Sequence, residues 1–225
     1  MTNLESFRKG MIMSLPLSVG VSVYGIVYGI LTRDILTDME TILSCLLIFA
    51  GVSQMMVLDM WTSPLPVMML IVSTFIINIR YVLMSASLYP YASDAKGWQS
   101  YFSVFFMIDE SWALALSEMP KGSVTITFLL GSGFANYLFW ISSTMIGRTM
   151  GSFMPSPEAI GIDFVFTALF LTIIASGFKG KKDMPVILSA LGAALIAEHY
   201  LGGKWYILIG GLVGSFAGWQ TYEHK

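Results

Sequence analysis

Charge is scarce in this sequence. Asp, Glu, Lys and Arg make up 12% of its 225 residues, about half the share of an ordinary soluble domain. Bases do not exceed acids: 12 Lys and Arg stand against 14 Asp and Glu, for a net charge of -2. No basic tract is interleaved with aromatics, so a nucleic-acid partner is not expected. Cysteine is nearly absent. Cys45 is alone, which excludes an internal disulfide, and its apolar setting reads as a buried structural thiol. The two histidines, His199 and His224, have no ligand-like neighbours at metal spacing, so neither a metal nor a cofactor is expected. Enzyme motifs are missing as well. There is no HExxH, no P-loop and no dinucleotide fingerprint, and "AGVSQ" fails the spacing of a nucleophile elbow. The chain is expected not to be an enzyme.

What is present is apolar length. Mean hydropathy is +0.73. Gly10 to Thr32, Thr41 to Leu58, Met60 to Ile79, Gly122 to Gly147 and Trp205 to Tyr222 carry no Asp, Glu, Lys or Arg. About 20 apolar residues cross the hydrocarbon core of a bilayer. The alternating short segments of a membrane barrel do not occur. The sequence therefore predicts an all-α polytopic membrane protein embedded in the lipid bilayer. Eight apolar segments fall at about 11–32, 41–60, 65–89, 99–117, 123–147, 162–178, 184–200 and 205–221. That means 7–8 membrane segments, with short connections and a single domain over 1–225. Arg8 and Lys9 resemble a signal's basic start, but the following run is too long and lacks a cleavage site, so it reads as a retained helix.

Orientation follows Lys and Arg in short loops. With the N-terminus inside and eight crossings, Arg8, Lys9, Lys121, Lys179, Lys181, Lys182 and Lys225 lie inside, and Arg33, Lys96, Arg148 and Lys204 lie outside. The second segment carries "AGVSQ" in its middle and no base after it. If it is re-entrant, every later segment changes side.

Several segments are interrupted. "LPLSVGVSVYGIVYG", "FAGVSQMM" and "LLGSGFANYLFW" mix glycine or proline with polar residues. A membrane helix opens there only where protein or water satisfies the freed backbone groups. Paired interruptions in two halves of a chain point to a transporter's binding site. Residues 24–51 and 145–171 share a glycine pair, an acidic loop and an apolar aromatic run, which suggests an internal repeat; recurrent membrane glycines are the alternative. Gly210, Gly214 and Gly218, four apart, suit close packing of the last helix, within the chain or against a second protein.

Arg80 is the most costly residue here. It lies within an apolar segment, about ten residues before that segment ends. Asp109 and Glu110 lie in the middle of the fourth segment. One acid is expected to pair with Arg80 while the other faces a cavity, where it could carry a proton. The alternative is a structural ion pair that fixes helix register. Asn78 could contact a solute or cross-link helices. Ser53 and Gln54 follow Gly51 at a helix break, where free N–H groups suit a carboxylate. Asn136 lies in the interrupted fifth segment.

Five landmarks occur in one order: "YGIVYG" at 24–29, "FAGVSQ" at 49–54, "NIRYVLMSASLYP" at 78–90, "DESWAL" at 109–114 and "GIDFVFTALFL" at 161–171. Together they resemble the AzlC-type branched-chain amino acid permeases, over most of the chain. "YASDAKGW" holds one base, Lys96, and one acid, Asp94, where the family has a more basic segment, and Trp112 replaces a smaller aromatic. The resemblance implies export of leucine, isoleucine or valine across a bacterial inner membrane, with a small AzlD-type membrane subunit as partner. The residue pattern fits such a cargo. Gly51, Ser53, Gln54 and Arg80 suit a carboxylate, Asp109 or Glu110 an ammonium, and Asn78 and Asn136 are further polar contacts; Asp109 and Glu110 are the candidates for proton coupling. Two rivals stand: a non-transporting assembly subunit, and an intramembrane enzyme using Asp109 and Glu110.

Overall fold

The computed structural model describes residues 2–92, 97–151, 171, 175, 178, 180–201 and 205–223. Helix is the regular structure among them, with no strand. The helices are α1 (Asn3–Thr32), α2 (Asp38–Leu47), α3 (Gly51–Asp59), α4 (Val67–Asn78), α5 (Arg80–Leu88), α6 (Gly97–Phe105), α7 (Asp109–Glu118), α8 (Thr127–Met150), α9 (Met184–Leu201) and α10 (Trp205–Glu223). Asn3–Thr32, Val67–Tyr91 and Lys181–Leu201 are long and apolar enough to cross a membrane. The chain divides into two compact units, Met1–Ser63 with Arg80–Asp163, and Pro64–Ile79 with Phe164–Lys225.

In the first unit, α1 begins with a capping box. The Thr2 hydroxyl accepts from the Glu5 N–H, and the Glu5 carboxylate accepts from the Thr2 N–H. α2 begins the same way, with Thr37 and Glu40. The centre of the unit is the pairing of α1 with α8, which run parallel. Thr127 Oγ1 donates to Asn3 O, Ser14 Oγ to Ser132 O, Ser18 Oγ to Asn136 Oδ1, and Arg148 Nη1 to Thr32 Oγ1. Both backbones approach closely because glycines face each other reciprocally. A Cβ on Gly10 would lie 2.2 Å from Phe128 O, and one on Gly131 2.0 Å from Phe7 O. At the other end, Gly29 meets Thr144 O at 2.0 Å and Gly147 meets Ile26 O at 2.1 Å. Dispersion and interhelical hydrogen bonds hold such pairs where no hydrophobic effect operates between helices.

The second and fourth apolar segments are each broken. After Leu47, Ile48 is extended (φ -126°, ψ 109°) and α3 starts at Gly51. After Phe105, Ile108 is extended (φ -127°, ψ 172°) and α7 starts at Asp109. Asp109 and Glu110 therefore open a helix rather than lie in the middle of one. The third segment is α4 and α5, joined through Ile79 in helical conformation. The expected segment at 162–178 lies outside the described residues, apart from Leu171, Ala175 and Phe178. Beneath α7, Met84, Leu88, Met107, Ala115, Met119, Val124, Ile126, Phe128 and Leu129 form an apolar cluster.

In the second unit, α9 and α10 pack through small residues. Gly214 faces the Ala190 methyl and Gly210 faces Ala194, so the glycine spacing of the last helix serves packing within the chain. α4 packs against α10.

Candidate functional site

The charged part of the site forms where α5 and α7 begin. Arg80 Nη1 lies 2.7 Å from Asp109 Oδ2, with the side chains 31% and 28% exposed. The guanidinium also sits over the Tyr81 ring at 5.3 Å, a cation–π geometry. Arg80 Nε is buried without a partner. The next turns of the two helices are tied together. Trp112 Nε1 donates to Ser87 Oγ at 2.9 Å, and Ser87 Oγ donates to Met84 O at 2.7 Å. The unusual Trp112 is thus a clamp that holds the acid near the base. Glu110, beside the pair, is within electrostatic reach of Tyr24 on α1.

The second part surrounds the break between α2 and α3. The first N–H groups of a helix lack intrahelical acceptors. Here they follow Ala50. A Cβ on Gly51 would lie 2.9 Å from the Trp140 ring, so the indole packs directly on the break. Trp140 stacks on Tyr28 at 5.5 Å, and the Tyr28 hydroxyl lies 2.9 Å from Ser44 Oγ. Gln54 is only 4% exposed, yet both its amide atoms lack hydrogen-bond partners, as do Trp140 Nε1 and Thr144 Oγ1. These groups surround the fully buried Cys45. Buried polar groups are rarely left unpaired. These three residues make a buried polar niche around the Cys45 thiol at this break.

Of the expected residues, Arg80 and Asp109 are brought together with Glu110 beside them. Gly51 and Gln54 share the niche, and Ser53 is buried next to Gln54. Asn136 is fully buried on α8, its Oδ1 taken by Ser18 Oγ at 2.7 Å and its Nδ2 unpaired. Asn78 closes α4 in the other unit and has an interaction partner. Sequence reading missed Tyr28, Trp140 and Thr144. The signal was available, since Asn136, Trp140 and Thr144 repeat every fourth residue and so share one face of α8. It also missed Arg148, which donates to Asp38 Oδ1, Thr32 Oγ1, Thr41 Oγ1 and Leu36 O and so fastens the α1–α2 turn to the end of α8.

Apolar helices, helix breaks and an ion pair at one of the breaks define an integral membrane protein with an internal polar site. The sequence profile of the AzlC protein family matches residues 16–154. The chain belongs to the AzlC family. It is 27% identical over 198 residues to a membrane protein of Archaeoglobus fulgidus, covering 87% of this chain and 85% of that protein. It is 25% identical over 206 residues to the branched-chain amino acid transport protein AzlC of Bacillus subtilis, covering 90% and 80%. The inner membrane protein YgaZ of Escherichia coli is 23% identical over 196 residues, covering 84% and 80%. No solved structure matches this chain.

Proposed function

We propose that this protein is the large subunit of a secondary transporter that exports branched-chain amino acids across the inner membrane. The observation that carries the reading is the pair of broken helices with polar groups at both breaks, the arrangement in which transporters bind solute at mid-membrane. Family membership and the named activity of the Bacillus subtilis relative support the cargo. In this reading the carboxylate is received at the Gly51–Gln54 break or by Arg80, the ammonium by Asp109 or Glu110. Asn78 and Asn136 are further polar contacts, and apolar residues hold the branched side chain. Glu110, the acid beside the ion pair, carries the coupled proton together with Asp109. A small AzlD-type membrane subunit is the partner.

A second reading takes the ion pair as purely structural, in an assembly subunit without transport of its own. The tight Arg80–Asp109 geometry and the Trp112–Ser87 tie favour it. Efflux of preloaded leucine, isoleucine and valine separates the two, measured with and without the small subunit. Transport predicts efflux that Glu110→Gln abolishes at unchanged membrane abundance. No efflux above background, with the partner confirmed present, overturns the transporter.

A further inference from the structure

The α6–α7 segment differs from a straight crossing in where its ends lie. Along α8, residue 127 marks one end and residue 150 the other, about 35 Å apart. The end of α6 next to the break touches the start of α8, where Ser103 Oγ donates to Ile126 O at 3.4 Å. The break lies deeper. Gly133 faces Phe106 O, and the Phe106 ring meets Tyr137 at 5.0 Å. α7 then returns to the same end, where Glu118 pairs with Lys9 at 2.8 Å near the start of α1. α6 and α7 thus go in and come back. α2 begins at the opposite end, held by Arg148 and Asp38, and its last turn reaches Tyr137, whose hydroxyl donates to Leu46 O at 2.9 Å. Phe49, in that break, meets the Tyr137 ring at 5.3 Å. Both breaks therefore rest on one tyrosine near the middle of α8.

α5 ends at the Lys9 face, because Met84 and Leu88 share the cluster of Met119, Val124 and Ile126. Phe49, Ala50, Met107 and Ile108 are buried, as irregular backbone at membrane depth must be.

We propose that α6–α7 is a re-entrant hairpin whose tip meets the α2–α3 break on Tyr137, and that solute crosses between the two breaks. The second clause rests on the transport reading; the first does not. The test is labelling by a membrane-impermeant maleimide in intact cells and in inverted vesicles. Cys45 is fully buried, so the unmodified chain gives the background. Asp34→Cys and Ser123→Cys mark the two faces, and Tyr91→Cys reports the return; all three positions are exposed. The hairpin requires Tyr91→Cys to label with Ser123→Cys. Labelling of Tyr91→Cys with Asp34→Cys means a straight crossing and overturns the hairpin. Ala50→Cys and Ile108→Cys then test the path. Labelling from opposite faces, slowed severalfold by added leucine, supports it. Unprotected or absent labelling removes the path and leaves the hairpin standing. Absent efflux with the hairpin partition intact overturns the transport reading alone.

Discussion

Arg80 makes a single 2.7 Å contact to Asp109 while its Nε has no partner, so the protein satisfies this guanidinium only in part. Asp109→Asn leaves a partly buried cation unpaired and should destabilise the detergent-solubilised protein by about 1–3 kcal/mol. Arg80→Gln in the same chain should recover part of that loss, as expected for directly contacting residues. Glu110→Gln breaks no ion pair. Its melting should stay within about 0.5 kcal/mol of the parent while efflux falls. Equal destabilisation by both acid substitutions would contradict this division of roles. Gln54 offers the opposite signature. Its amide is buried with neither atom paired, and such a group costs about 1–3 kcal/mol. Gln54→Leu should therefore leave the melting temperature unchanged or raise it, and abolish leucine efflux. Lower stability with efflux retained would mean that the amide holds the fold rather than the cargo.

At the scale of elements, the α1–α8 pair separates glycines that packing requires from those it does not. A Cβ on Gly29 would come within 2.0 Å of Thr144 O, a backbone atom that cannot swing aside. Gly29→Val should cost about 1–3 kcal/mol or more by overpacking. Gly20, on the same helix, has nothing within 4 Å of its missing Cβ. Gly20→Ala should be neutral or stabilise by up to about 1 kcal/mol through helix propensity. Thermal melts of the two variants test the contrast. The same pair shows what could be read in advance. Charges inside apolar runs are rare enough that Arg80 points to the Asp109–Glu110 pair from the sequence alone, while the structure picks Asp109. The apolar runs also mark the helices, because hydropathy depends on composition rather than context. The breaks at 48–50 and 106–108 were only half legible. "LLIFAGV" has a glycine but no proline, and "VFFMIDE" has neither. Tertiary contacts open those helices: Tyr137 takes the freed carbonyl of Leu46, and Gly133 makes room for Phe106 O. In the sequence Arg148 is only a flanking charge, because nothing local announces that Leu36, Asp38 and Thr41 return to it.

At the scale of the whole molecule, one face of the first unit is held by a charge cluster outside the apolar segments. Glu118 pairs with Lys121 in the next turn and with Lys9 of α1 at 2.8 Å, joining the end of α7 to the start of the chain. Gly122, in the left-handed region at φ 68°, then turns the chain toward α8. Hydrogen bonds from Lys121 and Lys9 hold the Glu118 carboxyl below its ordinary range. A carboxylate depressed in the folded state binds its proton more readily when unfolded, so its contribution is complete above the ordinary carboxylate value and is lost as pH falls through the depressed one. The parent protein should therefore lose melting temperature as pH drops below about 4.5, the usual glutamate range. Glu118→Gln should show a shallower decline over the same interval and a modest deficit at neutral pH, because Lys9 and Lys121 both remain partly exposed to solvent. Parallel acid profiles for the two proteins would show that the α7–α1 tie contributes nothing to acid stability and that other carboxylates govern it.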